Sequence, residues 1–179
     1  MTAINNLDDS IYSLIIKIQS TEVTGTMIFI SLLASAITLI LLSIAFRILM
    51  KNKKYSKLII INLILSFVTN RVLKIIIRRP RPQRIQIMPE KGFSFPSGHA
   101  MVAFAYYGFL IYLISKSIKN KKIKYPLIAF LSILILLIGI SRIYLGVHYV
   151  TDVLGGFIFG FIYLVLFVKY VYNNKKIVK

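Results

Sequence analysis

The chain contains only two histidines, and one of them has an aspartate at helical spacing. His148 and Asp152 are four residues apart, so a helix would place them on one face. There the carboxylate can accept a hydrogen bond from one imidazole nitrogen and fix the tautomer, which leaves the other nitrogen free to attack an electrophile. Gly146 permits a bend, so Arg142 can face the same pocket. The segment is therefore a candidate nucleophilic site with a cation beside it.

The second histidine ends a short motif, Pro96-Ser97-Gly98-His99, just before an apolar stretch. Ser97 can serve as the N-cap of a helix, and Gly98 lets the backbone approach a ligand closely. The free N–H groups and the positive dipole end of that helix form an anion site. We expect His99 on the first turn, beside the bound anion.

Two further cations lie near the end of the preceding apolar stretch, at Lys74 and Arg81. Pro80 and Pro82 stop a helix there, leaving Lys74 on its last turns and Arg81 on an extended segment. Both side chains can then converge on one anion. A polar stripe at four-residue steps below Lys74 is interpreted as interhelical hydrogen bonding, and it consists of Asn62, Ser66 and Asn70.

The composition indicates a membrane protein, because 58% of the 179 residues are hydrophobic and the mean hydropathy is +0.79. A net charge of +18 would suggest nucleic acid binding in a soluble protein, but base-reading modules are not buried in long apolar runs. The absence of cysteine excludes a disulfide framework and a cysteine metal site. We expect one domain, residues 1–179, and no nucleic acid partner or obligate protein partner.

The predicted fold is all-α, a polytopic membrane bundle of about five helices, each needing about 20 residues to cross a bilayer. An amphipathic segment precedes the spans, with Leu7, Ile11, Leu14, Ile15 and Ile18 at helical spacing. It is too short to span and fits an interfacial helix, although a sixth, tilted span is an alternative. The third and fourth spans are short and are expected to recruit flanking residues. The predicted spans are Met27–Phe46, Leu58–Ile77, His99–Ser115, Tyr125–Ile140 and Tyr149–Val168.

The distribution of charges predicts the orientation of these spans. Lysine clusters without acids follow the first, third and fifth spans, so all of them fall on one side: Lys51, Lys53, Lys54 and Lys57; Lys116, Lys119, Lys121, Lys122 and Lys124; Lys169, Lys175, Lys176 and Lys179. The acids fall on the other side: Asp8, Asp9, Glu22, Glu90 and Asp152. The positive-inside rule then places the C-terminus in the cytoplasm and the N-terminus outside.

One basic segment contradicts that rule, because it lies between the second and third spans on the outer side. Its charge requires another reason, and arginine binds phosphate in a bidentate way that a lysine point charge cannot reproduce. The segment is therefore a candidate phosphate site. Its cations are Arg78, Arg79, Arg81, Arg84 and Lys91, with Arg71 and Lys74 just before them.

Taken together, the three clusters resemble the tripartite signature of the type 2 phosphatidic acid phosphatase superfamily. They are Lys74-x6-Arg81-Pro82, Pro96-Ser97-Gly98-His99 and Ser141-Arg142-x5-His148-x3-Asp152, and no signature position departs from the pattern. The resemblance runs from Lys74 to Asp152, and the flanking spans look like those of the smaller bacterial members. The family includes lipid phosphate phosphatases, bacterial undecaprenyl pyrophosphate and phosphatidylglycerophosphate phosphatases, and soluble vanadium haloperoxidases.

The resemblance implies a role for each matched residue. His148 would be the nucleophile that forms a phosphohistidine, Asp152 would orient and stabilise it, and His99 would be the general acid that protonates the leaving oxygen. It also implies a lipid phosphate or pyrophosphate as substrate, with no cofactor and no metal, at the extracytoplasmic face of a bacterial cell membrane. The phosphoryl oxygens would be held by Lys74, Arg81, Ser97, Gly98 and Arg142.

Two other functions would use similar residues. A non-catalytic transporter or sensor of anionic lipids would keep the cations but has no need for the His148–Asp152 pair. A haloperoxidase would use the same pocket for vanadate, but the apolar spans and the lipid-phosphatase resemblance argue against it. The motifs recognise only the phosphate, so the lipid stays open between undecaprenyl pyrophosphate, phosphatidylglycerophosphate and phosphatidic acid.

The orientation can be tested with single cysteines, since the chain has none of its own. A cysteine at Asn120 should resist a membrane-impermeant thiol reagent in intact cells, because it lies in a lysine-rich inner loop. A cysteine at Gln86 should react. The reverse labelling pattern would put the candidate site in the cytoplasm.

Overall fold

The computed structural model describes residues 2–83 and 86–173, without the side chains of residues 2–7 and 9. Within these residues all regular structure is helical: α1 Thr2–Lys17, α2 Thr21–Leu32, α3 Ala36–Leu49, α4 Lys53–Ile77, α5 Gly98–Ser117, α6 Lys121–Tyr144 and α7 Val150–Asn173. The predicted all-α fold is confirmed. The predictions for the side chain of Leu7 and for Arg84, Lys175, Lys176 and Lys179 lie outside the described residues.

Four of these helices, α4 to α7, are long and apolar enough to cross a membrane, and α2 with α3 forms a bent fifth candidate. The chain is thus a multi-pass membrane protein. The short predicted spans do recruit flanking residues, since α5 has 20 residues and α6 has 24. With 16 residues, α1 is shorter than a span needs.

The first predicted span, Met27–Phe46, is wrong as a single helix. It is broken after Leu32, and α2 and α3 meet at an angle of 51°. No proline or glycine marks the break. Instead, Ser35 caps α3 by accepting a hydrogen bond from the Thr38 N–H, and the hydroxyl of Tyr107 donates to the Leu33 carbonyl oxygen at 2.6 Å. Partners from other turns and helices therefore satisfy the polar groups that the break exposes.

Helix α5 forms the centre of the bundle and packs against α4, α6 and α7. Its contact with α7 is close because glycines face it. A Cβ at Gly156 would lie 2.9 Å from the Ser97 carbonyl oxygen, and one at Gly160 would lie 2.9 Å from that of Met101. These glycines, with Gly155, fit the packing role that their spacing suggested.

Four helix ends and two connections meet at one end of the bundle. Helix α4 ends at Ile77, where Arg78 adopts a left-handed conformation with φ of 52°, before the two prolines expected to stop it. The connection from Arg78 to Ser97 then crosses to the start of α5, and residues 145–149 join α6 to α7. Near this end α1 contacts α6 and α7, and its Ile15 packs against their junction. This end carries every motif singled out above.

The close contact between α5 and α7 predicts a stability cost for enlarging its glycines. Gly156→Ala and Gly160→Ala should each lower the stability by about 1–3 kcal/mol, because the added methyl groups meet backbone atoms that cannot move aside. Thermal unfolding in detergent measures the loss. Gly25→Ala is the control, since its Cβ would meet nothing within 4 Å. Unchanged melting temperatures for both α7 variants would contradict this account of the packing.

Candidate active site

The residues of the three motifs converge where the helix ends meet. Lys74 lies on the last turn of α4, His99 on the first turn of α5, Arg142 on the last turn of α6 and Asp152 on the first turn of α7. His148 lies in the connection between α6 and α7. Stretches separated by up to 78 residues along the chain thus share one site.

The imidazole of His148 is held by Asp152. Its Nδ1 atom lies 3.4 Å from Asp152 Oδ2 and 3.3 Å from Ser94 Oγ, and the Ser94 hydroxyl donates a short hydrogen bond to the same carboxylate oxygen. The Tyr149 N–H donates to Oδ2 at 2.9 Å. Both His148 and Asp152 are fully buried, with exposed fractions of 1% and 0%. With Nδ1 facing the carboxylate, Nε2 is left as the nitrogen that faces the other motifs.

The pKa of His148 is lowered to about 4, mainly because the ring is buried; the hydrogen bond with Asp152 raises this pKa and the charge of Arg81 lowers it, but burial outweighs both. A lowered histidine pKa favours the neutral ring, which is the form with a free lone pair. The Arg81 Nη1 atom lies 3.4 Å from His148 Nε2 and donates to the Val147 carbonyl oxygen at 2.9 Å. A neutral imidazole nitrogen therefore points toward a fixed guanidinium.

The carboxylate of Glu90 lies between the cations of the three motifs. Its Oε1 atom accepts a short hydrogen bond from Arg142 and lies 3.9 Å from His99 Nδ1. Its Oε2 atom lies 3.0 Å from Arg81 Nη2 and 4.0 Å from His148 Nε2. Burial would raise the pKa of Glu90, but Arg142, His99 and Arg81 lower it on balance. These four side chains thus form an anion site, and a carboxylate of the protein itself occupies it.

The remaining predicted residues line the adjoining backbone. Lys74 is buried and donates to the carbonyl oxygens of Phe93 at 2.6 Å and Ser94 at 3.1 Å, so it fixes the segment that carries the Ser94 hydroxyl. Ser97 has the backbone conformation of an N-cap, but its hydroxyl makes no cap hydrogen bond and has no partner among the described residues. At Gly98 a Cβ would lie 3.1 Å from Asn70 Oδ1. The Glu90 carboxylate bonds to Arg81 and Arg142. Within the described residues it makes no such bond to Lys74, Ser97 or Gly98.

The arginine-rich segment divides into two groups. Arg79 and Arg81 point into the site, where Arg79 Nη1 donates to Asp152 Oδ1 at 2.6 Å and Arg79 Nη2 donates to Asp8 Oδ2 of α1 at 3.0 Å. Arg78 and Lys91 are exposed, and Arg78 Nε bonds to the Ile75 carbonyl oxygen. The polar stripe is also divided. Among the described residues, only the side chain of Asn70 bonds outside its own helix, to the Pro96 carbonyl oxygen and to the Met101 sulfur of α5, both at 3.4 Å; the interhelical hydrogen bonding expected of the Asn62 and Ser66 side chains is not present.

Sequence reasoning missed what Glu90, Ser94, Arg79 and Asp8 do in this site. A signal was available for Glu90, because it is the one acid in a basic segment. Asp8 also gave a signal, since it is spaced with Ile11 and Ile15 on the apolar stripe of α1. The spacing of residues could not indicate that Ser94 bonds to Asp152. It also could not indicate that Arg79 enters the site while Arg78 stays outside.

The donor set of the site suits an anion. No group of three or more histidine, cysteine or acidic side chains arranged to hold a metal occurs within residues 2–83 and 86–173. The guanidinium groups of Arg81 and Arg142 contact the Glu90 carboxylate, and their positive charge attracts an anion and repels a cation. The metal-free and cofactor-free chemistry implied by the sequence stays a prediction.

Comparisons with known proteins agree with this architecture. The family model described as the PAP2 superfamily matches residues 55–176. Phosphatidylglycerophosphatase B of Bacillus subtilis (strain 168) is 46% identical over 95 residues, which cover 51% of this chain and 45% of that protein. The match thus spans about half the length of that relative.

Two solved structures are similar over most of the chain. The crystal structure described as the first transmembrane PAP2 type phosphatidylglycerolphosphate phosphatase, from Bacillus subtilis, has a TM-score of 0.88 and 30% identity, covering 97% of this chain and 89% of that one. The crystal structure of Aquifex aeolicus LpxE has a TM-score of 0.72 and 28% identity, covering 90% of this chain and 94% of that one.

The position of Glu90 leads to a prediction about anion binding. Its carboxylate and an external anion compete for Arg81 and Arg142, and a charge-assisted hydrogen bond contributes about 1.5–3 kcal/mol. Glu90→Gln should therefore tighten the binding of inorganic phosphate by about tenfold, as measured by calorimetry in detergent. Glu22→Gln, at an exposed acid, should change nothing. Weaker phosphate binding in the Glu90 variant would mean that this carboxylate helps to hold the ligand.

Proposed function

The chain belongs to the PAP2 superfamily, and from this premise we propose that it is an integral membrane phosphatase that hydrolyses lipid phosphates or lipid pyrophosphates. One observation carries the proposal. The buried imidazole of His148 is held through Nδ1 by Asp152, and its Nε2 faces an anion site formed with Arg81 and Arg142. An anion bound there would meet the imidazole lone pair directly, which is what nucleophilic phosphoryl transfer requires.

The reaction begins when a phosphoryl group displaces the Glu90 carboxylate from the arginines. His148 Nε2 attacks phosphorus and forms an N–P bond as the P–O bond to the lipid breaks. The imidazolium form of His99, 3.9 Å from the Glu90 carboxylate, donates a proton to the departing oxygen and becomes neutral. Water then attacks the phosphohistidine with His99 as base, which releases inorganic phosphate and restores both histidines. Asp152 keeps Nδ1 protonated and stabilises the positive charge that develops on the ring.

The phosphoryl oxygens are bound by fixed positive groups, because phosphoryl transfer depends mainly on positioning and charge stabilisation. Arg81 and Arg142 bind the oxygens directly in this proposal. The unpartnered Ser97 hydroxyl and the N–H groups at the start of α5, opened by Gly98, complete the cradle. Lys74 adds charge and fixes the segment that carries Ser94.

The relatives guide the choice of substrate. Phosphatidylglycerophosphate is the first lipid to test, since the similar sequence and the similar structure from Bacillus subtilis both carry the name of a phosphatase of it. Undecaprenyl pyrophosphate and phosphatidic acid carry the same head chemistry and stay candidates. By the positive-inside rule the site faces the extracytoplasmic side of a bacterial cell membrane, with the C-terminus in the cytoplasm.

A non-catalytic anionic-lipid transporter or sensor remains the alternative. It would need the arginines but not a histidine whose Nδ1 is bound to a buried carboxylate. Phosphate release by the purified protein in detergent, from a panel of the three lipids, separates the two functions. Binding of these lipids without release of phosphate would support the transporter or sensor.

The two histidines should differ in how they respond to the leaving group. A lipid alcohol leaving from a monophosphate needs a proton, whereas a lipid phosphate leaving from a pyrophosphate needs it much less. His99→Ala should therefore reduce kcat/KM for monophosphates by about the 10²–10⁴-fold typical of general acid catalysis, and far less for pyrophosphates. His148→Ala should abolish turnover of both.

Asp152→Asn serves as the matched control, because it acts on the nucleophile and should weaken both reactions alike. Equal losses on the two lipids for His99→Ala would mean that His99 binds phosphate without donating the proton. Substantial turnover by His148→Ala would exclude the covalent mechanism.

A further inference from the structure

Arg79 connects the site to the N-terminal helix. It lies among the six positions that the first motif leaves unspecified, between Lys74 and Arg81, and its guanidinium contacts both Asp152 and Asp8. We infer that Arg79, held in place by Asp8 of α1, is a positioning residue that fixes Asp152 and so aims His148. This inference rests on the proposed function, in which His148 is the nucleophile.

The two oxygens of Asp152 face different partners. Oδ2 lies toward His148 Nδ1 and accepts from Ser94 and from the Tyr149 N–H. Oδ1 accepts from Arg79 Nη1 at 2.6 Å. Because a carboxylate is planar, a bond to Oδ1 restricts rotation of the whole group and thereby fixes where Oδ2 lies. Without Arg79, the side chain could turn about its χ2 torsion, which is broad for aspartate.

Arg79 is itself held from several sides. Its Nη2 atom donates to Asp8 Oδ2 at 3.0 Å, and its Nη1 atom donates to Thr151 Oγ1 at 2.7 Å. The guanidinium also stacks 4.1 Å above the Tyr149 ring. A planar fork with several donors can bridge two carboxylates in fixed geometry, which a lysine ammonium cannot do.

Asp8 holds α1 on the start of α7. The exposed fraction of Asp8 is 1%, although it belongs to a helix of 16 residues whose other described side chains are at least partly exposed. Asp8 Oδ1 accepts from the Thr151 N–H at 3.2 Å, and Oδ2 accepts from Thr151 Oγ1 at 2.9 Å. That N–H lies in the first turn of α7, where it has no helical partner, so the carboxylate also caps α7.

The carboxylates of Asp8 and Asp152, both nearly inaccessible to solvent, share the guanidinium of Arg79. Loss of Arg79 would leave the two carboxylates close together without the positive charge between them, so they would repel and turn away from each other. Such a rotation would loosen the hold of Asp152 on His148. The phosphate-binding arginines, Arg81 and Arg142, would keep their places. The expected defect is thus in the chemical step, with substrate binding preserved.

The test compares kcat and KM in variants of the full-length protein. Arg79→Gln should lower kcat by about the 10–100-fold that loss of an orienting partner usually costs, with KM nearly unchanged. Asp8→Asn should lower kcat less, and Arg79→Lys should recover only part of the loss. Arg78→Gln removes an equal charge from the next residue, whose exposed side chain lies outside the site, and should leave kcat unchanged.

A double-mutant cycle separates positioning from a general structural role. If Arg79 acts through Asp152, Arg79→Gln should cost little more in the Asp152→Asn background, measured on the same lipid. Full additivity of the two losses, or a rise in KM with kcat unchanged, would overturn the inference. Melting temperatures of all variants identify any that fail to fold, and Asp8→Asn provides a second test that leaves Arg79 in place.

A binding measurement keeps the inference apart from the proposed function. Vanadate can accept the lone pair of His148 Nε2 as a fifth ligand, whereas inorganic phosphate needs only the cations. Arg79→Gln should therefore weaken vanadate binding by about tenfold or more and leave phosphate binding unchanged, as read by calorimetry. An equal effect on both anions would refute the positioning role. A wild-type protein that releases no phosphate from any lipid would refute the proposed function alone.

Discussion

The structure depends on keeping the buried carboxylate of Asp152 fully bonded among apolar helices. An unpaired charge in such a place costs several kcal/mol, so each of its oxygens needs fixed partners. Those partners are Ser94 and Arg79 in the connection that follows α4 and the N–H of Tyr149 just before α7, and Arg79 is held in turn by Asp8 of α1. Satisfying one side chain thus brings together segments from both ends of the chain. The imidazole of His148 receives its orientation from the same set of bonds.

A second constraint concerns positive charge. Arg142 is 1% exposed and bonds to Ser31 beside the break between α2 and α3 and to Glu90 from the connection before α5. The negative charge of Glu90 offsets part of the repulsion between the positively charged side chains that surround it. The site is in this way assembled around an internal anion, and a phosphoryl group would bind to groups that are already in place. Such preorganisation lowers the reorganisation required at the moment of reaction.

The helical class and the apolar spans could be predicted from the sequence, because long apolar runs are a local signal. The spacing of the motifs is also local, and it indicated residues that the fold brings together. The break near Ser35 could not be predicted from local sequence. The carbonyl oxygen of Leu33 that the break exposes is bonded by the hydroxyl of Tyr107, which lies on a distant helix. Ser94 escaped for the same reason, since its bonds to His148 and Asp152 span 54 and 58 residues. Asp8 and Glu90 are acids at positions where their neighbours are apolar or basic, and only tertiary contacts show what they bind.

The central claim is that His148 Nε2 becomes covalently phosphorylated. The most direct measurement mixes the protein in detergent with a lipid carrying radiolabelled phosphate and quenches it in alkali within a single turnover, since phosphohistidine survives base and is lost in acid. The account predicts label on the protein, removed by acid and located by proteolysis at His148, with none in His148→Ala. Turnover without labelled protein at any time within the first cycle, or label on a different residue, would contradict it.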